Sequence, residues 1–247
     1  MNATLQETKI NAFTTPLVPT SLLFPSHLLI EAKEVLNSND FPTTRLEDWK
    51  YTRVTKIAAI QAAPDKYVKI NDIERYNVNK EAIRIFLQNG KLHTETSTEL
   101  PAGLNIKLLS NCSAEELQLV GSTLKLDKNV FHAMNTLYAS EGIYIHIASK
   151  AIIEQPIEII HIQHGENQVS HLRNVIIADA FSKAEINQIY ASKDAQNCLS
   201  NVVTECYVGT NAHLTINKLQ NEEEGNFSVT TEQIAQEKDS FFQLNTL

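Results

Sequence analysis

The stretch HIQH sets His161 and His164 three residues apart, with His146 and His171 nearby and Cys198 and Cys206 in later segments. Imidazole and thiolate are good ligands for zinc or iron. Residues three apart on a strand point to opposite faces, however, so this spacing serves one metal only if a turn intervenes. The histidines are expected to be solvated or hydrogen-bonded strand residues, and no residue is assigned as a metal ligand. Cys198 and Cys206 are separated by an even interval that places them on one face if a single strand joins them, although Leu199-Ser200-Asn201 could break it. Both are expected to be small core residues. Glu205 inside VVTECYV must face solvent, a partner or a buried cation; solvent is the expected environment.

Carboxylates come next, because Glu154, Glu158, Asp179, Glu185 and Glu205 could supply the acid and base of a carbohydrate-active β-helix enzyme. Nothing in their spacing selects a pair. The stretch NEEEG reads as an acidic surface loop. Nucleotide use needs closely spaced glycines, yet the chain has only 7 and contains neither GxxxxGK[ST] nor GxGxxG. A GxSxG nucleophile elbow is also absent. No catalytic residue is assigned, and no cofactor-binding residue can be named.

The whole chain bounds these readings. Its 247 residues, 43% apolar, suffice for a sizeable core, while a net charge of -8 argues against a broad nucleic-acid or anionic-lipid surface. Three cysteines, Cys112, Cys198 and Cys206, form no CxxC pair and point to a reducing compartment. The start, MNATLQETKINAFTTP, lacks the features of a signal peptide, and no apolar run is long enough to span a membrane. A cytoplasmic location is expected.

The elements that must position these residues fall into two regions, 1–125 and 126–247. In the first, Ser26 should cap a helix carrying Leu28, Leu29, Ala32, Val35 and Leu36. Thr44-x-x-Glu47 and Ser113-x-x-Glu116 both fit the capping box and should each open a helix. In the former, Leu46, Trp49, Val54 and Ile57 would share a buried side. AIRIFLQNGKLH predicts a hairpin turning at Asn89-Gly90, with a strand at residues 105–109 to follow. The segment from Asn129, NVFHAMNTLYAS, has helical spacing.

From Gly142 onward the texture is a series of short β-rich runs, many after a small-residue corner. Ala151, Ala184 and Ala212 mark such corners at intervals of 33 and 28 residues, compatible with the coils of a parallel β-solenoid. An antiparallel sandwich fits the strand spacing about as well. The last segment, DSFFQLNTL, has no cap or charge cluster, so the expectation is a solenoid that continues in a longer protein and leaves an edge prone to self-association.

FPTTRLEDWKYT resembles a signature of the SufB/SufD family, the scaffold of the SUF iron–sulfur cluster assembly system. IRIFLQNGKL, LPAGLNI, FHAMNTLYASEGIYIHIASKAIIEQPIEIIH, HLRNVIIADAFSKAEINQIY and NVVTECYVGTNAHLTINKLQ resemble successive family segments in the same order. EDWKYT and the short amino-terminal region favour the SufD branch. The resemblance implies a mainly β fold: a right-handed parallel β-helix, incomplete at its C-terminal end, preceded by a mixed helical and β region. It also implies a non-catalytic scaffold working with a SufB-like subunit and with a SufC-like ATPase held by a carboxy-terminal helical region absent from this chain. A cluster would be carried only transiently, at the level of the complex. The family's interfacial histidine belongs to that absent part, so none of His146, His161, His164, His171 or His213 inherits its role. A carbohydrate-active β-helix enzyme and a stand-alone structural solenoid are the alternatives.

Overall fold

The computed structural model describes residues 9–14, 23–63, 68–95, 99–122, 126 and 129–247. Among the described residues four α-helices, α1 (Lys9–Thr14), α2 (Ser26–Ser38), α3 (Thr55–Ala58) and α4 (Val130–Tyr138), accompany eleven strands. The strands are β1 (Ile83–Gln88), β2 (Lys91–Glu95), β3 (Leu104–Leu108), β4 (Ile143–Ile147), β5 (Ile157–Glu166), β6 (Val169–Ala178), β7 (Lys183–Gln196), β8 (Cys198–Val208), β9 (His213–Asn221), β10 (Asn226–Gln236) and β11 (Phe241–Thr246). They form two sheets, in the orders β11-β9-β7-β5-β1-β2 and β10-β8-β6-β4-β3. Consecutive strands alternate between the sheets from β4 to β11, and every pair within that body is parallel. The architecture is therefore a β-solenoid of about three turns and not a sandwich. β1 pairs parallel with β5 and β3 antiparallel with β4, so the amino-terminal region supplies strands to both sheets.

The coils repeat because their corners do. Lys150, Phe181, Asn211 and Asp239 stack at one corner, each with positive φ; Asn167, Asn197 and Gly225 stack at the other. A left-handed residue reverses the chain within one step, which Asn and Asp tolerate better than most side chains. The backbone bonds Lys183 N to Ala151 O, His213 N to Ser182 O and Phe241 N to Ala212 O make Ala151, Ser182 and Ala212 the equivalent positions. Ala184, expected as a corner, instead lies within β7, where it packs into the core. The resulting repeats of 31 and 30 residues are more even than the alanine spacing suggested.

Side-chain alternation on each strand sends one set inward. Ile157, Ile159, Ile186, Leu214 and Ile216 meet Leu172, Ile176, Val202 and Cys206 between the sheets. The outer face of the β10-β8-β6-β4-β3 sheet is covered by the helices, with Leu199 and Val203 packed beneath Phe131, Met134 and Leu137 of α4. On the outer face of the other sheet, Ile70 and Tyr76 cover Ile160, Ile162 and Ile189.

Several local expectations hold. Asn89 and Gly90 adopt φ of 48° and 79° in the β1–β2 turn. Asn129 caps α4 by accepting from Phe131 N and His132 N. Ser113 and Glu116 exchange the two capping-box bonds, Ser113 N to Glu116 at 2.8 Å and Glu116 N to Ser113 Oγ at 3.3 Å, although they open a 3-10 turn. α2 forms, but Ser26 is its first residue and makes no side-chain cap.

Thr44 does not open a helix. Leu46 is extended and 54% exposed, and only a 3-10 turn, Glu47–Trp49, follows. Trp49 is half-buried against Phe131, with ring centroids 5.6 Å apart. Trp49→Ala is accordingly expected to cost about 1–3 kcal/mol, below the roughly 3–5 kcal/mol of a fully buried aromatic. Urea titration checks this; an unchanged midpoint would mean that the indole contributes nothing to packing.

Candidate functional site

Two buried polar systems dominate the solenoid, one inside it and one on its helix-covered face. Inside, the half of the lumen next to the Asn167–Asn197 corner is polar in every coil. Gln163 Oε1 accepts from Ser170 Oγ at 2.9 Å and from Ser200 Oγ at 3.2 Å. Gln188 Nε2 donates to Thr204 Oγ1 at 3.0 Å, and Tyr190 Oη donates to Gln188 Oε1 at 3.3 Å. One coil further, Lys218 Nζ reaches Thr230 Oγ1 and Glu232 Oε1, both at 2.7 Å. Ser170, Ser200 and Ser228 occupy one register position of β6, β8 and β10. The two sheets are thereby tied by hydrogen bonds whose geometry fixes strand register, which apolar contacts alone specify less sharply.

His161 belongs to this interior. Its ring stacks on Tyr190 with centroids 4.9 Å apart, and its Nε2 must accept from the Asn174 amide, 3.4 Å away, because Nδ2 can only donate. The proton therefore sits on Nδ1. His171 faces outward beneath α4 and has the other tautomer, since its Nδ1 accepts from Asn201 Nδ2 at 3.0 Å. Burial holds both imidazoles down to a pKa of about 3.

These pKa values fix the sign of an acid effect. In the unfolded chain both rings protonate below about 6.5, whereas the folded state keeps them neutral. The unfolded state binds more protons between about 6.5 and 3, so stability falls as pH falls through that window. Each ring contributes about 1.4 kcal/mol per pH unit once pH is well below 6.5. Urea midpoints at pH 7, 6 and 5 should decline progressively, and less steeply in a His171→Gln variant. Equal slopes would show that His171 titrates normally in the fold.

The second system fastens the helices to the sheet. Arg173 on β6 and Glu205 on β8 are both 0% exposed, and Nη1 lies 2.9 Å from Oε1. Arg173 Nε donates to Asn135 Oδ1 at 2.9 Å and Nη2 to Thr136 Oγ1 at 3.1 Å, both on α4, while the guanidinium sits 4.7 Å from the Phe24 ring. Glu205 accepts from Gly121 N at 2.9 Å and from Tyr207 Oη at 3.0 Å. Asn135 also donates to the carbonyls of Leu172 and Asn201 at 2.8 and 3.0 Å. Solvent was the expected environment for Glu205; the structure gives it a buried cation instead, because residue 205 has the parity of the helix-covered face.

The other residues singled out by type are dispersed. His161 and His164 lie on the single strand β5 and face opposite sides. Cys198 and Cys206 share the unbroken strand β8 and one face, but eight residues of extended chain span about 26 Å, so they cannot hold one metal. Burial raises the pKa of both thiols, and that of Cys112 to about 11. Burial thus disfavours the thiolate, the form that attacks. Among the described residues no three histidine, cysteine or carboxylate side chains cluster as metal ligands.

Of the carboxylates, Glu158 is buried against Arg84 Nε at 3.1 Å and Asp179 meets His146 at 2.8 Å. Glu154 and Glu185 line an open groove of about 530 Å³ with Lys183, His213 and Phe241, and Glu185 accepts from Asn217. Glu222, Glu223 and Glu224 lie in the β9–β10 connection as expected, with Glu223 accepting from Asp194 N. Residue type could not reveal Arg173 or the lumen lane, whose members are visible only as polar residues at inward parity between apolar ones, such as Thr204 between Val202 and Cys206.

Comparison with known proteins matches residues 28–159 to the family described as SufBD protein N-terminal region, which takes in more than half of the chain. Residues 161–247 match the SUF system FeS cluster assembly, SufBD core domain. An iron–sulfur cluster assembly SufBD family protein of Synechocystis sp. is 24% identical over 232 aligned residues, covering 86% of this chain and 51% of the relative. The chain thus spans about half the length of that curated relative.

Proposed function

Because the chain belongs to the SufBD family of SUF-system iron–sulfur cluster assembly proteins, we propose that it is a scaffold subunit of the SufD type. The family places it in iron–sulfur cluster assembly. In the finer reading, it works with a SufB-like paralogue and a SufC-like ATPase in the cytoplasm, where the complex assembles and passes on nascent clusters. The single observation that carries this is the match of two adjoining family domains, across residues 28–159 and 161–247. The SufD assignment rests on EDWKYT and the short amino-terminal region.

The geometry is consistent with scaffolding. Glu158 and Glu205 are taken up by ion pairs, and burial raises the pKa of all three cysteine thiols. No helix among the described residues is long and apolar enough to cross a membrane. The chain is expected to bind no nucleic acid, to hydrolyse no ATP by itself and to retain no cluster by itself. Anaerobic reconstitution with iron and sulfide, followed by desalting, tests the last point. The expected result is loss of visible absorption and of iron. A stoichiometric cluster that survives desalting and disappears in a Cys112, Cys198 and Cys206 triple serine variant would contradict it.

A further inference from the structure

The geometry points to a divalent transition-metal site at the mouth of the β5–β6 corner, made by His164, Glu166 and Gln168. His164 Nδ1 lies 2.7 Å from the Lys193 carbonyl oxygen. A carbonyl can only accept, so Nδ1 carries the proton and Nε2 presents its lone pair. A backbone-carbonyl bond on one ring nitrogen is the usual device that orients the other toward a metal.

The strand beneath is clamped as well. Asn89 of the hairpin turn accepts from His164 N at 2.8 Å and donates to His164 O at 2.9 Å. The imidazole is thus fixed by two elements distant in sequence.

His164 lines an open groove of about 370 Å³ together with Gly165, Glu166, Asn167 and Gln168. Glu166 is exposed and makes no ion pair with any described residue. Gln168 lines the same groove and is only 8% exposed; its Nε2 donates to the Glu166 carbonyl at 3.1 Å, and its Oε1 is the third donor of the proposed site. The donor set is one imidazole nitrogen, one carboxylate and one amide oxygen. That mixture suits iron(II), manganese(II), cobalt(II) or zinc, with water completing the shell, and it disfavours copper(I), which wants thiolate or thioether.

Gly165, with φ of 96°, sits between two of the donors and lets the strand turn there. His161, the HxxH neighbour of His164, faces the lumen and cannot join it. The useful partners are two and four residues further on, across a bulge that the spacing alone does not disclose.

This inference does not depend on the assembly role, because the probe is the metal alone. Manganese(II) titrated into the protein should broaden the His164 ring signals in proton–carbon correlation spectra at substoichiometric metal, before those of His213 or of the Asp179-paired His146. The dissociation constant, read from the free manganese(II) electron paramagnetic resonance signal, should rise at least tenfold in His164→Phe. It should rise several-fold in Glu166→Gln, whose exposed side chain leaves folding untouched. Broadening centred on His146 or His213, or an unchanged dissociation constant in Glu166→Gln, would overturn the site.

Discussion

Arg173→Met is expected to lower stability by about 3–5 kcal/mol, because it leaves the Glu205 carboxylate fully buried without its cation. It also removes the donors that Arg173 extends to Asn135 and Thr136, and so loosens α4 from the sheet. The pair itself is not expected to be worth that much. Desolvating two charges offsets most of their attraction, so replacing both with apolar residues of similar volume is often close to neutral. An Arg173→Met, Glu205→Leu double variant should therefore recover a large part of the loss, short of the hydrogen bonds to Gly121, Asn135 and Thr136. Urea titration of wild type, both single variants and the double variant measures the coupling. Additive single losses would mean that the two side chains do not depend on one another.

Gly142→Ala is expected to be comparably severe. Its Cβ would stand 1.6 Å from the Arg173 carbonyl oxygen and 2.5 Å from the carbonyl carbon, both backbone atoms held in the β6 ladder. A flexible side chain could move aside; a strand cannot do so without breaking register. The cost should reach or exceed the upper end of the roughly 1–3 kcal/mol usual for overpacking. Neighbouring bonds, Arg173 N to Glu141 O and Leu109 N to Gly142 O, would be strained together. The expected readout is a lowered urea midpoint. A midpoint equal to wild type would show that β4 does not approach β6 as closely as the structure has it.

The parts of this architecture that were legible in the sequence are those decided within a few residues. Asn89-Gly90, Asn129 and the Ser113–Glu116 box act through their own backbone neighbours, so their chemistry is complete in the local string. The opposite-facing histidines followed from strand period alone. Thr44 failed because a capping box needs an apolar face to bury after it, and here Leu46 is exposed and the chain bends at residues 44–46. Glu205 was misread because its partner, Arg173, lies 32 residues away and becomes its neighbour only once β6 and β8 are in register. Ala184 resembles a corner in the sequence because small residues occur both at corners and two positions into a strand, and only the hydrogen bonds separate these. The polar lumen was hidden for a related reason: single polar residues at inward positions look like exposed ones until the opposite sheet is placed.

The most direct test of the scaffold assignment is to tag the protein at its chromosomal locus, purify it without oxygen from cells grown under iron limitation, and identify what accompanies it. The account predicts a SufB-like paralogue and a SufC-like ATPase in the eluate, with iron and acid-labile sulfide that the whole complex transfers to an apo-ferredoxin. Recovery of the protein without both partners, in a preparation that transfers no cluster, would contradict it.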